Sequence, residues 1–410
     1  MASQTNNETL LLTANHAAAY AAKLSGVQVV SAYPITPQSP VMEKIIEFIS
    51  NGEMKPEMLE VESEHSAITV CISASAVGAR AFTASCANGL ALMHEMLHWA
   101  AGTRVPLVMA IPNRGMSAPW TIQNDQQDSI SQRDTGWMQL YCRNSQEVLD
   151  SVILGYKIAE QVKAPIMVCY DGFVLSHATM PVELPSRDTV KNFLPDYVPH
   201  IILDPSNPQN INPVTLADPR PNPDGVLCHG FHEFRHLLQE ALLGAVETVK
   251  SAFEEFEKTF GRKYNLIDSY RCEDADIIAV GLGSVASEAL DAVDALREKG
   301  IKAGVLHLRM YRPFPTKFLA QLVNASKCKG MIVLEKSLSY GYDGALTSDI
   351  KASLFDEACD VFVHSYLMGL GGRDIKARDI VSAFEKSLPY LDKKGTDRVK
   401  KLEWINLQTV

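Results

Sequence analysis

Thr36 stands in Tyr33-Pro34-Ile35-Thr36-Pro37-Gln38-Ser39-Pro40, where the apolar run Val27 to Ala32 stops at three prolines, the first two of which bracket the Thr36 hydroxyl. A second apolar-edged run stops at Val61-Glu62-Ser63-Glu64-His65, on two carboxylates. In an open α/β sheet, ligands collect at the carboxyl ends of strands. Thr36 and Glu64 therefore lie where a cofactor or substrate could sit. Each also has a plainer role: Glu64 as an acid favoured by a helix dipole, Thr36 as a turn residue. Spacing leaves both open.

Asn113-Arg114 follows the apolar run Pro106 to Ile111. An arginine at a strand end suits a two-pronged grip on a carboxylate, or equally a structural salt bridge. Asp125, Asp128, Arg133 and Asp134 form a charged loop, expected to fix itself by internal pairs. His94-Glu95-Met96-Leu97-His98 matches the HExxH pattern, in which two histidines one turn apart bind zinc. The surrounding helix is short and apolar, and only Glu147 offers itself as a third ligand. The zinc-hydrolase reading is thus the minor one, no metal site is expected, and a buried or interface helix is the expectation. Gly281-Leu282-Gly283-Ser284 could cradle an anion with its amides. It lacks the full glycine fingerprint, so a tight turn is expected, with a nucleotide or coenzyme phosphate as the alternative.

These residues need a scaffold, and alternating elements supply one. The pattern predicts strands at Val27 to Ala32, Met58 to Val61, Ala79 to Ala84, Pro106 to Ile111 and Pro165 to Tyr170. Helices are predicted at Asn15 to Leu24, Pro40 to Ser50, Glu64 to Gly78, Gly89 to Ala101 and, started by Ser145, at Ser145 to Lys163. Such alternation implies a mostly parallel sheet covered on both faces. Ten of the 21 prolines fall between 181 and 223, read as an extended surface crossing. An amphipathic helix follows over His232 to Phe260. A second α/β unit opens near Ala275, with strands Ile277 to Val280, Ala303 to Leu308 and Met331 to Leu334. The expected divisions are 1–180, a crossing and linker helix at 181–265, a second domain at 266–392, and a tail at 393–410.

A length of 410 residues with 46% apolar content allows large cores. No apolar run reaches the roughly 18 residues a membrane span needs, and Met1 to Glu8 lacks a signal-peptide pattern, so a cytoplasmic protein is expected. The net charge of -10, without a basic block, argues against nucleic acid. Eight scattered cysteines include no CxxC pair, so an iron–sulfur cluster in this chain is not expected.

Taken in order, several segments closely resemble the α subunit of 2-oxoacid:ferredoxin oxidoreductases of the pyruvate synthase type. They are Tyr33-Pro34-Ile35-Thr36-Pro37, Glu62-Ser63-Glu64-His65-Ser66-Ala67, Gly89 to Glu95, Asn113-Arg114, Ser117-Ala118-Pro119, Gln132 to Trp137, Asp171-Gly172-Phe173, Phe260 to Tyr264, Tyr311 to Pro315 and Gly369 to Asp374. The resemblance implies an α/β chain: a pyrimidine-binding domain of the thiamine diphosphate fold, then a domain like the transketolase C-terminal domain. It also implies half a site, because the GDG-then-Asn motif of the diphosphate side is missing. A β subunit would complete it with Mg²⁺ and a [4Fe-4S] cluster. Ferredoxin-like γ and δ subunits would take the electrons, and coenzyme A the acyl group. By this likeness Glu64 contacts the pyrimidine ring nitrogen, where a carboxylate favours the tautomer that deprotonates the thiazolium. Pro34 and Asn88 join Glu64 in holding the cofactor, and Thr36 and Arg114 hold the substrate carboxylate.

Three departures stand out from the family pattern. Ala84-Ser85-Cys86-Ala87-Asn88-Gly89 replaces Thr-Ser-Ser-Gln-Gly, Asp125-Gln126-Gln127-Asp128 lacks a His often seen there, and Ala14-Asn15-His16 replaces Gly-Asn-Glu. The first two lie near the expected pocket. Pyruvate is the default substrate, with an aromatic or branched 2-oxoacid such as phenylglyoxylate as the alternative. For an aromatic substrate a flavin subunit and NAD could replace ferredoxin as acceptor.

Overall fold

The computed structural model describes residues 8–199, 230–326, 328–395 and 402–408. Seven strands form the first sheet, in the order Met310–Arg312, Met138–Tyr141, Ile166–Asp171, Val108–Asn113, Ala81–Ala84, Val29–Ala32, Glu57–Glu60. All pair in parallel except Met310–Arg312, which runs antiparallel on Met138–Tyr141. The four central strands are buried throughout, as expected of a parallel sheet covered on both faces. Ser145–Val162 is the most deeply buried helix and packs against both Ala14–Leu24 and the long helix Phe231–Phe260. Its cap is Asn144, whose side chain accepts from the Glu147 amide, rather than Ser145.

The second sheet has six strands, in the order Glu403–Trp404, Phe362–Leu367, Gly330–Glu335, Ile277–Gly281, Ala303–Leu308, Ile267–Tyr270. Ile267–Tyr270 alone is antiparallel. No helix among the described residues is long and apolar enough to cross a membrane.

Two expectations need correction. The helix expected at Gly89 to Ala101 is two short helices, Ala87–Leu92 and His94–Gly102, meeting at Met93 with ψ at -11°. The proline-rich crossing is packed in its described part. Met180–Leu184 pairs antiparallel with Glu8–Leu12, and Arg187–Phe193 is a helix capped by Ser186. Val182, Val190 and Phe193 are buried there. A two-stranded ribbon tolerates Pro181 because one edge needs no N–H donor. The crossing's remainder, from 200 on, lies outside the described residues.

The two sheets meet at Arg309, between the strand Ala303–Leu308 of the second and Met310–Arg312 of the first. Its buried guanidinium bridges Glu147 of the first unit, at 3.0 Å, and Asp268 of the second. Arg143 contacts the same two carboxylates at 3.1 and 3.3 Å. One helical turn further along, Asp150 accepts from Arg262 and Tyr264. Burial pushes Glu147 and Asp268 up. Arg309 and its neighbours around Glu147, and His307 with Arg309 and Arg143 around Asp268, outweigh it and hold both carboxyls below their usual values.

Removing one partner of such a buried cluster strands the others. Arg309→Leu is therefore expected to destabilise the chain by about 3–5 kcal/mol in denaturant unfolding at neutral pH. Carboxylates with depressed folded values contribute stability above their unfolded values and lose it as pH falls through the folded ones. The gap between wild type and variant should accordingly be full above about pH 5 and narrow in acid.

Candidate active site

Because the first sheet is parallel, its loops gather the candidate residues along one edge, at the carboxyl ends of the strands. Pro34 and Thr36 follow Val29–Ala32, Glu64 follows Glu57–Glu60, Ser85 to Gly89 follow Ala81–Ala84, and Arg114 follows Val108–Asn113.

Glu64 is the first residue of the helix Glu64–Ala76, after Ser63, whose side chain caps it by accepting from the Ser66 amide. The helix N-terminus favours a negative charge at this position. The residue is only 7% exposed, and no described group hydrogen-bonds to its carboxylate or pairs with it. Ser85 Oγ is likewise buried without a partner. Both groups face the backbone of Gly89: a Cβ there would lie 2.4 Å from Glu64 Oε1 and 2.6 Å from Ser85 Oγ. Two unsatisfied polar groups beside a glycine-cleared corner fit a ligand that offers hydrogen-bond donors.

Arg114 is buried, and its guanidinium makes no ion pair with a described carboxylate, so the salt-bridge alternative falls. Its Nη1 donates to the Thr36 carbonyl at 2.8 Å and its Nε to the Thr121 carbonyl at 3.0 Å, leaving Nη2 without a described partner. Trp120, 73% exposed, lies with its ring centroid 5.4 Å from the guanidinium carbon. The Thr36 hydroxyl engages no described group, and its carbonyl also accepts from Cys86 Sγ at 3.4 Å. Burial pushes the Cys86 thiol up, so it stays protonated. Pro34 is exposed on the rim. Asn88, also exposed, accepts through Oδ1 from the Ser117 amide at 2.9 Å, tying its helix to the loop after Arg114.

Behind these residues lies Asp128, fully buried. Its Oδ1 accepts from Asn113 Nδ2 and the Ser129 amide, and its Oδ2 from the amides of Ala87 and Arg114, all at 2.7–3.0 Å. Burial raises its pKa, and the four N–H donors counter that. The expected internal charge pairing does not hold Asp128: three backbone amides and the Asn113 side chain do the fixing. Arg133 and Asp134 stand 3.9 Å apart. Asp128, Ser85 and Gly89 lie in segments that the sequence marks, but their individual roles were not legible by pattern, because a shared tertiary environment defines them.

The anion cradle at Gly281 to Ser284 is taken by the protein itself. Asp171, at the end of Ile166–Asp171, accepts from the Ser284 amide at 2.7 Å and from Lys336 Nζ at 2.9 Å. A Cβ on Gly283 would lie 2.9 Å from Asp171 Oδ2. Burial pushes Asp171 up, but Lys336 and Ser284 hold it below its usual value. The turn joins the two units, and no room is left in it for a coenzyme phosphate. The HExxH segment gains no third ligand either. His94 bonds Gln132 through Nδ1 at 2.6 Å, Glu95 lies 3.6 Å from His65, and Glu147 is held by Arg309. Among the described residues no group of three or more His, Cys, Asp or Glu side chains could hold a metal ion.

Residues 20–223 match the family model described as pyruvate flavodoxin/ferredoxin oxidoreductase, thiamine diP-bdg, and residues 275–380 match pyruvate:ferredoxin oxidoreductase core domain II. Pyruvate synthase subunit PorA of Pyrococcus abyssi is 46% identical over 97% of this chain and 98% of its own. Ketoisovalerate oxidoreductase subunit VorA of Pyrococcus horikoshii is 43% identical over the same shares. Among solved structures, 2-oxoglutarate:ferredoxin oxidoreductase from Magnetococcus marinus superposes with a TM-score of 0.69 at 20% identity, covering 92% of this chain and 65% of that one. A split gene transketolase gives 0.53 at 14% identity, covering 91% and 98%. These likenesses bear out the expected fold class, a thiamine diphosphate-type α/β unit followed by a transketolase-like one. With near-complete coverage by relatives of this identity, the chain belongs to the α subunits of the 2-oxoacid:ferredoxin oxidoreductases.

Proposed function

We propose that this chain supplies the pyrimidine side of a thiamine diphosphate site, which a β subunit closes with the diphosphate-binding side, Mg²⁺ and a [4Fe-4S] cluster. The assembled complex oxidises a 2-oxoacid with coenzyme A to acyl-CoA and CO2. Two electrons leave through ferredoxin-like γ and δ subunits to ferredoxin, or through a flavin-linked subunit to NAD. The observation that carries this reading is the buried, unpaired Glu64 carboxylate facing the corner cleared by Gly89.

When bound, the cofactor supplies the electron sink for decarboxylation. Glu64 holds a proton at a pyrimidine ring nitrogen, with the helix N-terminus stabilising its charge. Ser85 adds a polar contact in the same corner, and Pro34 and Asn88 border it. Arg114, fixed through Nη1 and Nε, keeps Nη2 for one oxygen of the substrate carboxylate. Thr36 offers its hydroxyl beside it. A carboxylate so held is oriented for loss as CO2 while the chain excludes water behind it.

Pyruvate is the default substrate, in line with the PorA relatives. A branched 2-oxoacid is the second reading, favoured by the nearly equal identity to VorA over the same span. The exposed Trp120 beside Arg114 gives an apolar side chain a surface to meet.

In the assembled complex, Glu64→Gln is expected to retain bound thiamine diphosphate, read by cofactor assay of the desalted protein. Turnover should fall by about 10²–10⁴-fold; unchanged turnover sinks the assignment. Arg114→Ala removes a charge-assisted contact and should raise the 2-oxoacid KM by about ten- to a hundredfold, with the coenzyme A KM unmoved. Rates with pyruvate, 2-oxobutyrate, 2-oxoisovalerate, 2-oxoglutarate, indolepyruvate and phenylglyoxylate identify the substrate. A preference for 2-oxoisovalerate over pyruvate would establish the second reading.

A further inference from the structure

We infer that the glycine turn Gly369 to Gly372 of the second unit is a positioning device for Arg114: it clamps the loop Thr121 to Gln127, which Asp125 braces from within. The inference rests on Arg114 gripping the substrate carboxylate, as proposed above.

Three of the four turn residues are glycines with left-handed backbones, at φ of 72°, 58° and 74° for Gly369, Gly371 and Gly372. Gly372 donates its amide to the Asn124 carbonyl at 2.7 Å. A Cβ on Gly372 would lie 2.5 Å from Gln123 Cβ, so only glycine lets the turn approach so closely. The Asp125 carboxylate accepts from the Gln127 amide at 3.1 Å, which braces the clamped loop from within.

From the clamped residues the contacts lead directly to the guanidinium. The Gln123 carbonyl accepts from the Gly115 amide at 2.9 Å, and the Gln123 amide donates to Thr121 Oγ1 at 3.1 Å. The Thr121 carbonyl holds Arg114 Nε. A Cβ on Gly115 would lie 2.6 Å from Thr121 Cγ2 and 3.0 Å from Asp125 Oδ2, so the strand end and the loop are also in close contact. A shift of Gln123 therefore moves the carbonyl that aims Arg114.

Asp125 makes the clamp sensitive to pH. Burial first, then the neighbouring Asp128, push its carboxyl up to about 6, against the Gln127 amide and Lys336 of the second unit. Lys336 is itself bound to Asp171. Protonation of Asp125 removes the charge that holds the Gln127 amide beside Gly115, so the 2-oxoacid KM should rise as pH falls through this value. A raised folded value means that the charged form costs stability at neutral pH. Asp125→Asn should therefore leave Tm at neutral pH unchanged or higher.

The test uses the assembled complex with Gly372→Ala, Gly371→Ala, Asp125→Asn and Arg114→Lys. Gly371→Ala is the control: its backbone strain is similar, but its Cβ meets nothing nearer than Thr121 at 3.8 Å. Gly372→Ala is expected to raise the 2-oxoacid KM about tenfold, with kcat and the coenzyme A KM little changed and Gly371→Ala close to wild type. Asp125→Asn should flatten the dependence of that KM on pH. Equal effects of the two glycine variants, or a wild-type pH profile in Asp125→Asn, overturn the clamp. Should Gly372→Ala fail to fold, the Asp125→Asn profile decides alone. If Arg114→Lys leaves the 2-oxoacid KM unchanged, the carboxylate reading itself fails. A KM raised by Arg114→Lys but not by Gly372→Ala overturns only the clamp.

Discussion

A single carboxylate without a counter-ion holds this site together. Asp128 is buried beneath the strand ends and satisfies itself with four N–H groups from three segments of chain. A buried charge is tolerated only when its lone pairs are filled. The loop therefore cannot move without leaving some of them empty. Ala87, the Asn113 side chain and Arg114 are fixed together by this requirement. The corner occupied by Glu64 and the position of Arg114 are consequently set by one group buried behind both.

The same principle joins the two units. Asp171 inserts into the turn that opens the helix Val285–Glu298, where Lys336 neutralises it. Arg309 joins Glu147 to Asp268 on the other side of the junction. Each contact gives a buried acid partners from both units, so separating them would expose or strand charge on both sides. The second unit thus becomes part of the frame of the first, although Thr36, Glu64 and Arg114 all lie on the first sheet.

Much of the first unit was legible because buried parallel strands are written as continuous apolar runs, and Val108–Asn113 and Ile166–Asp171 follow that rule. The strand-end positions of Thr36, Glu64 and Arg114 followed directly. Short strands lacked such a signal: Met310–Arg312 and Met138–Tyr141 owe their pairing to distant chain. The proline-rich stretch misled because a two-stranded ribbon forgives a missing amide. The Gly281 to Ser284 segment, expected as a tight turn with an anion cradle as the alternative, turns into a helix and donates its Ser284 amide to a carboxylate. Its anion is Asp171, more than a hundred residues upstream, which no local pattern could name. The roles of Ser85 and Gly89, which lie in a marked segment, stayed unread for a similar reason: their meaning depends on a carboxylate two strands away.

The three-residue strand Met310–Arg312 has a consequence beyond its size. It covers the outer edge of Met138–Tyr141, whose backbone would otherwise present unpaired donors and acceptors. Bare edges of buried, apolar strands invite pairing with other chains. The second unit thus acts as an edge guard for the first. A gene cut between the two units would free a sticky seam, even if each half kept its own core.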